Sequence, residues 1–419
     1  MITFNLNSKT QYTDVCIIGA GPAGAAASIT LSKAGIEHFL VDAAIFPRHK
    51  SCGDIFTSGA LRAMNDLDPS ILQELIENDQ VNKIDNTHTF PPNGKPIRID
   101  YLPLDGKANS PGCYSVSRFD YDILFLKRIE NLGFATIQQD CRVIKIEEQS
   151  DGIQLLTETG ETILAKLVIV ATGSNNNILK QLGLSHPKGG SAIGIRAHFE
   201  GVDCKKHDSE LYLDPTIMPG GLYITPLPEG KFNVNLVVSM DKVAAEKLNL
   251  KEKFESFIQN NLILRSKFSK ATRLGNFEGS MLFLGLNQKK ITGNRFMVVG
   301  DSGGLIDFFT GNGIPQALLS GKMAALKAIQ AIENQDFSKE FLLGFEVDLY
   351  KKLNKNYTAE KYIFPLLHKK MFSGYVLKFL NYLSRRPQTN NMLRDLLYQK
   401  DPGKMVRNPK FLYKLLITK

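Results

Sequence analysis

Short apolar runs and alternating segments divide the chain into elements before any motif is considered. Asp14-Val15-Cys16-Ile17-Ile18 is a compact apolar run bounded by turn residues, the pattern of a buried parallel strand. The Ala-rich stretch after it predicts a helix ending near Ala34-Gly35, and His38-Phe39-Leu40-Val41 predicts a second strand. Between Val143 and Ala171 three short segments turn at Ser150-Asp151-Gly152 and Thr159-Gly160, a meander closed by Leu167-Val168-Ile169-Val170. Residues 192–199 and 232–238 alternate as half-buried strands do, while Pro91-Pro92-Asn93-Gly94 and Pro226-Leu227-Pro228-Glu229-Gly230 read as turns. The buried-strand pattern returns at Arg295-Phe296-Met297-Val298-Val299 and leads to an Ala/Leu/Gly helix reaching about Ile332. After Glu333 the period changes. Phe364, Leu367, Met371, Phe372, Tyr375, Val376, Phe379, Leu380 and Leu383 recur at helical spacing and predict one amphipathic helix over 364–383.

Composition narrows the class. A chain of 419 residues allows two or three domains. No apolar run is long enough to cross a bilayer as a helix, and the polar first residues lack a secretory signal pattern. Cys16, Cys52, Cys113, Cys141 and Cys204 are odd in number and form no Cys-x-x-Cys pair, which fits a reducing cytoplasm rather than a disulfide framework or zinc site. His49 and His198 have no second ligand at metal spacing, so no metal is expected. The net charge of +9 belongs to the end of the chain: from Lys361 onward, thirteen lysines and arginines face two aspartates. Interleaved with Tyr362, Tyr382, Tyr398, Phe411 and Tyr413, residues 361–419 suit peripheral contact with an anionic membrane. The competing reading is a helical cap with solvated lysines. Nucleic acid fits worse, because the body of the chain is neutral.

The first apolar strand runs into Gly19-Ala20-Gly21-Pro22-Ala23-Gly24, and the second ends in Asp42. In a strand–turn–helix unit Gly19 permits the turn, Gly21 lets a pyrophosphate approach, and Gly24 lets helix pack on strand. The helix N-terminus offers free N–H groups to that pyrophosphate, and Asp42 can accept from a ribose hydroxyl. This predicts dinucleotide binding and leaves FAD and NAD both open. The strand at 295–299 is followed by Gly300-Asp301 and then by Gly311-Asn312-Gly313-Ile314-Pro315. An acid past a strand can hold a ribityl or ribose hydroxyl, and a helix start aimed at a flavin ring would stabilise its reduced, negative form.

Together these motifs resemble the FAD fold of para-hydroxybenzoate hydroxylase. Within it, Phe46-Pro47-Arg48-His49-Lys50-Ser51-Cys52-Gly53-Asp54, Ser117-Arg118-Phe119-Asp120-Tyr121-Asp122 and Ala171-Thr172-Gly173 are similar to segments of the geranylgeranyl reductase family. The resemblance covers about residues 12–330. It implies an α/β fold: a Rossmann-like FAD-binding domain with a parallel sheet (1–80, 112–178 and 290–330), an antiparallel-sheet substrate domain (81–111 and 179–289) and a basic helical C-terminal region (331–419). It implies a cofactor-binding set of Gly19, Gly21, Pro22, Ala23, Gly24, Asp42, Arg48, Cys52, Gly53, Arg118, Val143, Ala171, Gly173, Gly300, Asp301, Gly311, Asn312, Gly313 and Ile314.

The expected activity is FAD-dependent reduction of carbon–carbon double bonds in an apolar, isoprenoid or lipid-like substrate. Cys52 and Tyr223 are the candidate proton donors, Cys52 because neighbouring cations favour its thiolate. Asp54 is a candidate substrate contact or helix cap. The family's Tyr-x-Trp-x-Phe-Pro-Lys segment stands here as Tyr223-Ile224-Thr225-Pro226-Leu227-Pro228-Glu229, without the Trp and the Lys. That departure keeps a flavin monooxygenase acting on an aromatic or polyketide-like compound as the alternative. A non-catalytic prenyl carrier ranks third. A second Gly-x-Gly-x-x-Gly is absent, so the electron donor, NAD(P)H or another reductant, is left open, as is the oligomeric state.

Overall fold

The strand predicted at 14–18 begins earlier, running Gln11–Ile18, and sits inside an eight-stranded sheet. The structure, a computed structural model, describes residues 10–92, 94–101, 112–184, 191–285, 289–307, 311–367 and 370–386. In the first sheet Gln11–Ile18 lies between His38–Val41 and Thr162–Val170, both parallel to it, and Phe296–Val298 continues the parallel set. The predicted meander forms as Val143–Glu148, Ile153–Thr157 and Thr162–Val170.

Register is what makes a site here. Ile18 stands opposite both Val170 and Val41, and Val170 opposite Val298. Four strands therefore end level, and the loops beginning at Gly19, Asp42, Ala171 and Val299 gather along one edge, where open parallel sheets bind ligands. Val15, Ile17, Val168, Ile169, Met297 and Val298 are fully buried, as expected of strands covered on both faces. Helices Pro22–Lys33 and Ile314–Asn334 pack on one another through small residues. A Cβ at Gly321 would lie 2.0 Å from the Ala23 carbonyl oxygen, so only glycine allows this approach.

A second, seven-stranded sheet has the spatial order Thr272–Phe283, Ser191–Glu200, Lys231–Ser239, Gly220–Pro226, Asp208–Tyr212, Asn86–Phe90 and Ile97–Asp100. Its pairs are antiparallel except Asp208–Tyr212 with Asn86–Phe90. Alternation gives it two faces. Phe199, Leu222, Ile224, Val234 and Leu236 enter a core with Phe254 and Phe257 of helix Leu250–Asn260, and the opposite face looks toward the first sheet. A small sheet of Ile55–Thr57, Cys113–Ser115 and Asn82–Lys83 lies at the junction.

The amphipathic segment read over 364–383 is helical throughout its described residues, which fall within Lys339–Leu367 and Lys370–Leu383. In the second helix Phe379, Leu380 and Leu383 pack on Ile97 and Ile99 of the seven-stranded sheet. That apolar face is spent on the body of the protein. Residues 387–419, which carry much of the predicted membrane-binding charge, lie outside the described residues. Among the described residues no helix is long and apolar enough to cross a membrane, and no cluster of metal-ligating side chains occurs.

Candidate active site

A cavity of about 880 Å³ lies between the level edge of the parallel sheet and the open face of the second sheet. Its first wall is made chiefly of backbone. Gly19 has φ +106°, and a Cβ there would meet the Ala171 carbonyl oxygen at 2.3 Å. A Cβ on Gly24 would sit 1.7 Å from the Gly19 carbonyl oxygen. The turn is thus closed to any side chain at both positions. Gly21 differs. Its missing Cβ points at Arg48, whose Nη2 would be 3.7 Å away, so a flat approach to the backbone stays open beneath a cation. Helices Pro22–Lys33 and Ile314–Asn334 both start from a glycine, Gly21 and Gly313, with no side-chain cap. Their free N–H groups and dipoles border the same cavity. Uncapped helix starts, a glycine gap and a guanidinium form a donor set that fits the pyrophosphate of a dinucleotide.

Acids and bases complete this wall. Asp42 accepts hydrogen bonds from Ala20 N at 2.7 Å and Ala44 N at 2.8 Å, so its carboxylate fastens the glycine turn while bordering the cavity. Arg118 donates twice to Asp122, both at 2.8 Å, one turn further along helix Arg118–Leu132. Arg48 reaches the same carboxylate at 3.4 Å and lies over the Phe46 ring. Burial pushes the Asp301 carboxyl up, with the positive charges of Lys50 and Arg118 pulling the other way. Burial likewise pushes the Lys50 ammonium down, opposed by Asp301. Asn312 donates from Nδ2 to Thr57 Oγ1 at 3.1 Å, tying the last glycine loop to the small sheet.

The cavity brings together nearly the whole expected set. Gly19, Gly21, Pro22, Ala23, Asp42, Arg48, Cys52, Gly53, Arg118, Val143, Ala171, Gly173, Asp301, Gly311, Asn312, Gly313, Ile314 and Tyr223 all border it. Gly24 and Gly300 do not. Gly24 lies behind the turn, and Gly300, with φ +63°, donates its N–H to Ser320 Oγ and would press a Cβ to 2.9 Å from Ala23 Cβ. Both allow close packing, and neither borders the cavity.

The second wall is built from side chains. Tyr223, on Gly220–Pro226, faces the cavity, and burial pushes its hydroxyl pKa up. Asp54 is fully buried and accepts on Oδ2 from Arg196 Nη1 at 2.9 Å and Asn233 Nδ2 at 2.6 Å. Arg196 also pairs with Glu278 at 2.9 Å. Arg196, Asn233, Glu278 and Asp122 were not among the residues expected from sequence. An arginine inside an apolar alternating strand, and Asn233 and Asn235 in a strand where Asn is disfavoured, are the signals that mark them.

A glycine turn and two uncapped helix starts, facing a second sheet across one cavity, make a donor set of the kind that binds a dinucleotide. The chain belongs to the FAD binding domain family, whose pattern matches residues 12–273. Its cofactor is FAD and its class is FAD-dependent oxidoreductase. Among relatives, it is 25% identical over 347 residues to conditioned medium factor receptor 1 of Dictyostelium discoideum, covering 80% of this chain and 66% of that one. It is 28% identical over 345 residues to digeranylgeranylglycerophospholipid reductase of Methanocaldococcus jannaschii, covering 80% and 81%. Among solved structures, a geranylgeranyl bacteriochlorophyll reductase-like protein from Thermoplasma acidophilum shares the fold with a TM-score of 0.73 at 19% identity, covering 97% of this chain and 96% of that one.

Proposed function

We propose that this protein reduces carbon–carbon double bonds in a long apolar chain of isoprenoid or lipid character. The observation that carries the reading is the extent of the substrate wall. Every strand of the seven-stranded sheet contributes to the cavity, from Leu282 through Gly194, Val237, Tyr223 and Leu211 to Thr89 and Ile99. Six interstrand steps of about 4.8 Å make that wall roughly 29 Å across. A small aromatic substrate needs only a fraction of it. The reductase relative named above acts, by its name, on a digeranylgeranylglycerophospholipid, and supports the same class.

In this reading Gly19, Gly21 and the start of helix Pro22–Lys33, with Arg48, hold the pyrophosphate. Asp42 and Val143 would meet the adenosine end, Asp301 the ribityl chain, and Gly311 to Ile314 the ring. Bound FAD, once reduced, supplies a hydride to one alkene carbon. A proton must reach the other carbon to complete saturation. Cys52 and Tyr223 are the two donors that border the cavity. Burial favours the neutral form of Tyr223, so its hydroxyl carries its proton at neutral pH.

Contact with an anionic membrane, if made, rests on the charges after Lys361, since the apolar face of Lys370–Leu383 is occupied. Sedimentation with anionic and neutral vesicles measures it. The reaction itself is tested by product mass after incubation with polyprenyl substrates and a reductant. Gain of two hydrogens per double bond supports it; gain of oxygen would assign a monooxygenase instead.

A further inference from the structure

The segment carrying Cys52 is held by the opposite sheet. Lys50 O accepts from Arg196 Nη2 at 2.9 Å, and Lys50 Nζ donates to Ser280 Oγ at 2.9 Å. Cys52 O accepts from Asn233 Nδ2 at 2.7 Å. Asp54 Oδ2 accepts from the same Asn233 amide at 2.6 Å and from Arg196 Nη1 at 2.9 Å. Ser280, Arg196 and Asn233 stand on three adjacent strands, Thr272–Phe283, Ser191–Glu200 and Lys231–Ser239. His198 Nε2 lies 2.9 Å from Arg196 Nη1 and accepts from it.

Two further facts show that the surroundings over-determine this segment. Asp54 adopts a left-handed backbone, φ +55°, a conformation aspartate reaches more readily than most residues but still at some cost, which its contacts offset. Its carboxylate is fully buried, with Arg196 as the buried cation beside it. On the nucleotide side the hold is main-chain: Val116 N donates to Asp54 O at 3.1 Å, and Ile55–Thr57 then pairs with Cys113–Ser115. Cys52 itself is half-buried and borders the cavity between these anchors.

We infer that Arg196, Asp54 and Asn233 form a clamp that fixes where the Cys52 thiol stands in the cavity. They are positioning residues. The single Asn233 amide ties the Cys52 main chain and the Asp54 carboxylate to one strand of the substrate wall, so the thiol keeps its place relative to that wall. The clamp deepens the reductase reading, where Cys52 is a proton donor, but its geometry does not depend on turnover.

Thiol alkylation tests it. The FAD-bound Cys204→Ser protein, which lacks the other partly exposed thiol, is treated with iodoacetamide and each cysteine followed by peptide mass. Asn233→Leu keeps volume but removes both donated bonds, and Cys52 is expected to react faster by about tenfold. Cys16, Cys113 and Cys141, all buried, serve as internal monitors and should stay protected. Arg196→Lys keeps the charge beside Asp54 but loses the fork, and should give a smaller gain. A Cys52 rate within about twofold of the parent in both variants overturns the clamp, because lost hydrogen bonds of this kind would shift it further. Acceleration of all four cysteines together also overturns it, since that reports general loosening. Neither result bears on whether isoprenoids are reduced.

Discussion

The two walls of the cavity are made in opposite ways. The nucleotide wall is shaped by what is missing: no side chain at Gly19, Gly21 or Gly24, and no cap on two helix starts. The substrate wall is shaped by what is present, a row of side chains crossing seven strands and a buried ion pair that reaches over to hold the Cys52 segment. A wall of backbone tolerates almost no addition. A wall of side chains tolerates addition at its surface but not loss of a buried partner.

The sharpest break is Gly24→Val. With the Gly19 carbonyl 1.7 Å from the new Cβ, the turn cannot close, and flavin per protein in the purified sample should fall by more than about tenfold. On the substrate side, Arg196→Leu leaves Asp54 charged and buried. It should cost about 3–5 kcal/mol in denaturant unfolding. Glu278→Gln removes only the charge of a second carboxylate paired with Arg196, and because the Glu278 side chain is 36% exposed it should cost less than about 1 kcal/mol. Equal costs would mean that the buried pair is not what holds this wall.

Asp68 is a place where the nucleotide side also depends on side chains. It caps helix Pro69–Glu77 and meets Lys33 at 3.0 Å and Arg128 at 2.7 Å, joining three helices. Burial opposes its charge, but hydrogen bonds from Ser70, Lys33 and Arg128 hold its carboxyl well below the usual range. A lowered carboxyl stabilises the fold above its unfolded pKa, and that contribution is lost as pH falls toward the folded value. Asp68→Asn should therefore cost about 2 kcal/mol at neutral pH, with the gap to the parent narrowing below about pH 4. A further effect should be selective. Leu211→Trp fills the middle of the substrate wall and should lower kcat/KM about tenfold for the longest chains, with short chains and bound FAD unchanged. Equal loss for every length would argue against an extended substrate.

The same contrast explains what the chain revealed in one dimension. His38–Val41 and the meander to Val170 were legible because each is a local apolar pattern. The glycine turn, Asp42 and Asp301 were legible because a nucleotide site is made of consecutive residues at a strand end. Arg196 and Asp54 lie 142 residues apart, and Asn233 and Asp54 lie 179 apart. Alternation gives the face of Arg196 but not its partner, so the clamp could not be read. Gly300 reads as a cofactor contact because glycine after a strand serves both ligand approach and helix packing; in the structure a Cβ there would press on Ala23.

The most direct test is anaerobic mixing of the reduced protein with polyprenyl chains of graded length while the flavin absorbance is followed. The account predicts that the oxidised spectrum returns with long chains, with one double bond lost per flavin reoxidised. Flavin that stays reduced with every isoprenoid, yet reoxidises with an aromatic acceptor, would contradict it.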